Sequence, residues 1–151
     1  MIEPKYKFMK IALNEAKKAL KNDEVPIGAV IVFEGKVIAK SYNKRNKKRL
    51  ATAHAEITAI EKACKKIGDW RLDGMEMYVT LEPCPMCAGA ILNSRIKKVY
   101  FGAYETKSGA ILSNYKILFG NSLNHNADAE GGVLEEECSA LLKEFFKSKR
   151  K

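Results

Sequence analysis

Long apolar runs are missing from this 151-residue sequence: nowhere do the ~20 consecutive hydrophobic residues that carry a helix across a bilayer occur. A membrane-spanning helix is therefore not expected. The first ten residues carry charges, with no apolar stretch or small-residue cleavage site behind them, so no secretory signal is expected either. Internal repeats, linkers and low-complexity segments are absent, and residues 1–151 read as one domain. These absences predict a soluble, cytoplasmic protein. Cysteine is sparse at four residues, and its spacing argues against a disulfide framework. Cys84 and Cys87 form a C-x-x-C pair, whereas Cys64 and Cys138 fall inside apolar helical patterns and read as small buried hydrophobes. In an unsecreted chain such a pair binds metal or does redox chemistry. Histidine is scarcer still, and His54 and His125 each carry weight for that reason. Acidic residues are outnumbered, 18 against 27 Lys plus Arg, and the net charge of +9 favours an anionic partner such as nucleic acid or an acidic membrane surface.

What is present alternates between helical and strand periods. Residues 4–22 place Phe8, Ile11, Ala12, Ala16, Ala19 and Leu20 on one helical face. Residues 29–33 and 37–42 read as two strands joined by a Glu34-Gly35 turn. A polar loop over residues 43–52 carries Lys44, Arg45, Lys47, Lys48 and Arg49. Helical spacing resumes over residues 53–67 through Ile57, Ile60, Cys64 and Ile67. Residues 77–81 read as a buried strand running into Glu82-Pro83, with a helix starting at Cys84 or Pro85, where proline suits the first turn. A strand over 98–102, an irregular stretch over 103–126 with room for one short helix, a weak strand over 126–130 and a last amphipathic helix over 134–147 complete the chain. Strands alternating with helices predict an α/β layered fold around one sheet.

The chemistry lies in two short pieces, His54-Ala55-Glu56 and Pro83-Cys84-Pro85-Met86-Cys87, each opening a helix. Cysteines three apart share a helical face. At a helix N-terminus, free N–H groups and the dipole stabilise thiolates. Two thiolates and an imidazole suit zinc, and three protein ligands leave the fourth tetrahedral position to water, the arrangement of a catalytic site. On a regular helix His54 and Glu56 would point roughly 200° apart. Both reach one ligand only if the helix end itself points into the pocket, and Glu56 then sits beside the bound water as a proton shuttle.

H-A-E followed by P-C-x-x-C resembles the signature of the cytidine deaminase superfamily. The resemblance extends to the bacterial-type tRNA-specific adenosine deaminase family through Glu24-Val25-Pro26-Ile27-Gly28-Ala29-Val30, Thr52-Ala53-His54-Ala55-Glu56 and Tyr78-Val79-Thr80-Leu81-Glu82-Pro83-Cys84. It continues through Met86-Cys87-Ala88-Gly89-Ala90, Ser94-Arg95-Ile96, Phe101-Gly102-Ala103, Asn124-His125 and Phe145-Phe146, and so spans nearly the whole chain. The resemblance implies a three-layer α/β/α cytidine-deaminase-like fold with a central mixed five-stranded sheet. It implies one Zn2+ per subunit on His54, Cys84 and Cys87, with Glu56 shuttling protons while adenine C6 exchanges ammonia for water. It places Asn43 against the inserted base, Ile27 and Ala55 on the wall of its pocket, a tRNA anticodon loop as partner, and a homodimer. Ala51 where the family often has Pro, Tyr104-Glu105 where the second residue is usually Asp, and the Lys/Arg-rich loop after Asn43 depart from the pattern. They bear on loop recognition and substrate range.

Plainer readings stand beside these. His125 as a fourth ligand would close a structural zinc site and leave Glu56 without a role. A thioredoxin-like redox pair would need a different βαβ context. Trp70 reads as a packing aromatic and Met86 as a gap-filling core residue. Phe145 and Phe146 continue the Leu134, Cys138, Leu141 and Leu142 stripe, with one of the two left to flank the cleft. Lys147, Lys149, Arg150 and Lys151 are either a solvated end or, with residues 44–49 and Lys97-Lys98, phosphate contacts. A free-base or nucleoside (guanine or cytosine) deaminase shares the signature, and a noncatalytic zinc-containing RNA-binding module is the reading from another class.

Overall fold

The structure, a computed structural model, describes residues 3–116 and 125–149. Asn124 of the Asn124-His125 block, and Arg150 and Lys151 of the basic tail, lie outside the described residues. The order of elements is α1 (Pro4–Lys21), β1 (Gly28–Phe33), β2 (Lys36–Tyr42), α2 (Arg45–Lys48), α3 (Ala55–Ile67), β3 (Glu76–Leu81), α4 (Pro85–Asn93), β4 (Lys98–Ala103), β5 (Asp128–Glu130) and α5 (Glu135–Lys149). The five strands form a mixed sheet in the order β2-β1-β3-β4-β5. β1 pairs antiparallel with both β2 and β3, and β3, β4 and β5 run parallel. Glu34 and Gly35 both have positive φ, 48° and 79°, the backbone of a two-residue hairpin whose twist matches the strands it joins.

Helices cover both faces, so the three-layer expectation holds. On one face α1 and α5 bury Phe8, Met9, Leu13 and Cys138 against Val30, Val32 and Tyr78 of the sheet. On the other, Ala55, Ala59 and Ala63 of α3 and Ile91 of α4 pack on Ile31, Met77 and Val99. Strand residues thus alternate between the two cores, as the two-residue period of a strand requires.

Several faces differ from the sequence reading. On α1, Met9 and Leu13 are buried with Ala12, Ala16 and Ala19, while Ile11 and Leu20 are only half-buried. On α3 the alanines face the sheet, Ile57, Ile60 and Cys64 are half-buried, and Ile67 is exposed. Small side chains let the helix lie close to the strands, and the larger apolar ones are turned to its flank. Trp70 is not a packing aromatic: it is 56% exposed, with the guanidinium groups of Arg71 and Arg95 5.4 and 5.8 Å from its ring centre. Met86 is exposed and fills no core gap. The loop over 43–52 contains one helical turn, α2, and the described part of the 103–126 stretch contains turns without a helix. Among the described residues no helix is long and apolar enough to cross a membrane.

One edge of this sheet gathers four chain segments. β2, β3 and β4 end there, at Tyr42, Leu81 and Ala103, and the antiparallel β1 begins there, at Gly28. Residues just beyond these ends are therefore neighbours in space, however far apart they lie in sequence.

Candidate active site

A cleft of about 300 Å³ opens at that edge. Ile27 precedes β1, Asn43 follows β2, Glu82 and Cys84 follow β3, and Tyr104 and Glu105 follow β4; all line it. His54, Ala55 and Glu56 enter from the start of α3, and Leu142 and Phe146 from α5.

The geometry of His54 and Glu56 depends on where α3 begins. His54 is its N-cap, with extended backbone (φ −72°, ψ 153°), and Glu56 lies in the first turn. The chain therefore changes direction between the two residues, which lets both side chains face the cleft despite their spacing. Cys84 is the N-cap of α4, also extended (φ −76°, ψ 174°), with Pro85 at the first helical position and Cys87 in the first turn. His54 Nδ1 lies 3.8 Å from Cys84 Sγ and 3.5 Å from Cys87 Sγ. The ligand atoms of these three residues all lie within 4.8 Å of one another, a set that can hold a metal ion. His125 is not among them, and its Nε2 donates to the Ile96 carbonyl at 2.9 Å.

Electrostatics agree with that donor set. The Cys84 thiol is pulled down to about 4, first by the hydrogen bond from the Cys87 thiol, and further by His54 and the Cys87 backbone N–H, against the opposing effect of burial. Cys87 is correspondingly pushed up, because it holds the proton that the two sulfurs share. His54 is raised by its hydrogen bond to Cys84. A cation bound between them would take the place of the shared proton. Glu56 is buried, and burial pushes its carboxyl up to about 7.

A family model described as MafB19-like deaminase matches residues 3–150. Over 144 residues the chain is 50% identical to the tRNA-specific adenosine deaminase of Bacillus subtilis (strain 168), a match covering 95% of this chain and 89% of that protein. The chain belongs to the tRNA-specific adenosine deaminase family. A solved structure from a study of A-to-I editing by tRNA:A34 deaminases at the wobble position of transfer RNA superposes with a TM-score of 0.87 at 46% identity, covering 90% of this chain and 99% of that one. A guanine deaminase from Nitrosomonas europaea superposes with a TM-score of 0.81 at 25% identity, over 96% of this chain and 85% of that one. The cytidine-deaminase-like arrangement of sheet and helices is common to these neighbours.

Asn43, Ile27, Ala55 and Phe146 line the same cleft. Asn43 is buried, its Oδ1 accepting the Arg45 N–H at 3.2 Å and its Nδ2 donating to the Val25 carbonyl at 3.4 Å. Ile27 and Ala55 contribute apolar surface to the wall. Of the two C-terminal phenylalanines, Phe145 is buried and Phe146 is exposed at the cleft. From the basic tail, Lys147 is exposed and Lys149 is anchored on Asp23 at 2.6 Å.

Two buried carboxylates have no role in the sequence reading, yet they hold the walls of this cleft. Glu24 accepts the backbone N–H groups of Asn46 and Lys47 at 3.1 and 2.8 Å, which fixes the turn of α2. Glu82 accepts the N–H groups of Glu105, Ile111, Leu112 and Ser113 at 2.7–3.1 Å, together with the Ser113 hydroxyl. Burial alone would raise the Glu82 carboxyl; the Ser113 hydroxyl and the backbone donors hold it below the usual carboxylate value instead. The available signal was an acidic residue beside apolar ones, at Glu24-Val25-Pro26-Ile27 ahead of β1 and at Val79-Thr80-Leu81-Glu82 at the end of β3.

Proposed function

We propose that this chain catalyses zinc-dependent hydrolytic deamination of adenosine to inosine at the wobble position of a transfer RNA. One observation carries the reading. His54, Cys84 and the buried carboxyl of Glu56 line one cleft, with Cys87 buried beside them, in a chain that is 50% identical to a tRNA-specific adenosine deaminase. Zinc suits the donor set: Zn–S and Zn–N bonds of ~2.3 and ~2.0 Å at tetrahedral angles separate nitrogen from sulfur by about 3.5 Å. The spacings here are 3.5 and 3.8 Å. His54, Cys84 and Cys87 would hold the ion. When bound, zinc lowers the pKa of water to about 7 and so makes it a nucleophile at neutral pH.

The chain's own groups account for the proton traffic. Glu56 takes a proton from the attacking water and delivers it to the ring nitrogen beside C6. It then assists the departure of ammonia, so that adenosine and water become inosine and ammonia. Its burial favours the neutral acid more than exposure would, which suits a group that must both accept and release a proton. Ile27 and Ala55 supply the apolar wall against which a base sits, and Asn43 presents its amide to the base edge. A cleft of about 300 Å³ has room for a base. The base must leave its stack to enter, and an anticodon loop offers bases already unstacked.

A homodimer accompanies this reading, in which both copies contact the loop. On α3, the half-buried Ile57 and the exposed Ile67 offer apolar surface to a second copy, while Ile60 and Cys64 pack against the core of their own chain. A transfer RNA substrate places the enzyme in the cytoplasm. The test is incubation of the zinc-loaded protein with an anticodon stem-loop bearing wobble adenosine, followed by detection of inosine and a zinc assay. Inosine formation, with guanine, cytosine and free nucleosides left unchanged, is the expected result. Deamination of free guanine with none of the stem-loop would overturn the substrate assignment, and protein-bound RNA without ammonia release would overturn the enzyme.

A further inference from the structure

We propose that Glu82 is a positioning residue: a buried carboxylate that holds the backbone of residues 105–113, one wall of the cleft, in place for the incoming base. The proposal rests on the deaminase reading above. Glu82 is 2% exposed. Its Oε2 accepts Ile111 N–H at 3.1 Å, Leu112 N–H at 2.7 Å and Ser113 N–H at 2.8 Å. Its Oε1 accepts Glu105 N–H at 3.1 Å and the Ser113 hydroxyl. A carboxylate offers about four lone-pair directions, so five donors leave none for a substrate. Glu82 therefore acts through the wall and not on the base. No salt bridge to Glu82 occurs among the described residues, and its charge is met by the aligned backbone donors and one hydroxyl.

Position makes the contact consequential. Glu82 stands two residues before Cys84, and its own N–H donates to the Ala103 carbonyl at 2.9 Å. The neighbouring Pro83 carbonyl accepts Ala110 N–H at 2.9 Å. The segment that carries a proposed metal ligand is thus tied directly to the wall that carries Tyr104, Glu105 and Ser108 into the cleft. Gly109 leaves the room this requires, because a Cβ there would overlap the Glu105 carbonyl oxygen and press on Glu82 Oε1.

Only a carboxylate accepts at both ends. In Glu82→Gln the side-chain carbonyl can keep the three N–H groups of residues 111–113, which turns the amide NH2 toward Glu105 N–H and Ser113. The Ser113 hydroxyl can rotate to accept, but the Glu105 N–H faces another donor and loses its partner. The substitution therefore loosens the Tyr104–Glu105 end of the wall selectively. That end binds the base but makes and breaks no bond, so its loss weakens ground state and transition state alike. Such a change raises KM and leaves kcat alone.

The experiment compares zinc-loaded wild type with E82Q on the anticodon stem-loop, with amide hydrogen exchange on the same samples. KM should rise about tenfold while kcat per bound zinc stays within about threefold. Exchange protection should be lost at Glu105 and kept at Leu112 and Ser113. A purely structural role would lower the active fraction, and with it kcat, at unchanged KM; that result would overturn the proposal. Should E82Q fail to fold, Ser113→Ala removes one donor from Oε1, and a KM raised about threefold supports the proposal while an unchanged KM overturns it. Wild type that forms no inosine would count against the function proposed above, and unchanged protection at Glu105 in E82Q would count against Glu82 separately.

Discussion

Replacing Glu56 by glutamine separates proton transfer from everything else this carboxyl does. The side chain keeps its length and shape, so the packing of a residue only 4% exposed is conserved. Glu56 is outside the set of ligand atoms formed by His54, Cys84 and Cys87, so the metal site should be left whole. What the amide cannot do is cycle a proton. General acid–base catalysis by one positioned group is worth ~10²–10⁴ in rate. In the proposed reaction a single carboxyl serves successive transfers, from water to the ring nitrogen and on toward ammonia, which puts the expected loss at the upper end. A ~10⁴-fold fall in kcat corresponds to about 5.4 kcal/mol on the barrier. The assay is single-turnover inosine formation on the stem-loop, with zinc content and thermal midpoint measured on the same preparation. Activity within about tenfold of wild type would remove Glu56 from the proton path. Loss of zinc from Glu56→Gln would equally refute the argument, since it would make Glu56 part of the metal site.

Cys87→Ala deletes a buried sulfur 3.5 Å from His54 Nδ1, and bound zinc should fall to roughly a tenth or less of wild type, read by metal analysis after gel filtration; full zinc retention would reject the ligand set. Asn43→Ala removes both the Arg45 and Val25 hydrogen bonds at the cleft, and turnover should fall about tenfold or more with RNA affinity within about threefold; equal losses in kinetics and in a binding titration would place Asn43 outside the base pocket. Gly28→Ala sets a Cβ against α1, overlapping Ala12 O and lying 2.6 Å from Ala16 N. Backbone cannot yield as a side-chain tip can, so about 3 kcal/mol of stability should go, seen as a midpoint lower by roughly 6–12 °C; an unchanged midpoint would mean that α1 moves freely on the sheet.

The His54, Cys84 and Cys87 cluster, which can hold a metal ion, was legible in the sequence because each of its parts is local. Cys84 and Cys87 are one helical turn apart and His54 stands two residues from Glu56, so short spacings and helix starts bring them to the front of any reading. The alternation of strands and helices was equally legible, since each element repeats its period several times. Glu82 and Glu24 were not. Their partners lie 22–31 residues away along the chain and are mostly backbone N–H groups, which every residue but proline carries. A side-chain pattern can mark such a carboxylate as unusual, but it cannot name its backbone partners. Faces were misjudged for a different reason. Ile57 and Ile60 are more apolar than Ala55 and Ala59, yet the alanines face the sheet because close approach rewards small side chains more than large ones. Trp70 and Met86 show the complementary case, in which hydrophobic character did not mean burial.

The close packing of α3 also bears on the chemistry. Ala55, Ala59 and Ala63 let the helix lie near β1 and β2, and that proximity brings its first turn to the edge where β2, β3 and β4 end. Ligands in open α/β sheets bind at the carboxyl ends of parallel strands, because loops leaving neighbouring strands diverge there and leave a crevice. In this chain the crevice is walled by segments leaving β3 and β4, and Glu82 joins them by hydrogen bonds that both strands help to aim. Cys84 follows β3 by three residues and Glu105 follows β4 by two, so both inherit the register that pairs Leu81 with Ala103. The separation between the proposed metal ligand Cys84 and the wall at Glu105 is then set chiefly by the sheet register rather than by the preferences of either loop. A site that must hold a base within a fraction of an ångström of its attacking water requires a separation fixed in that way.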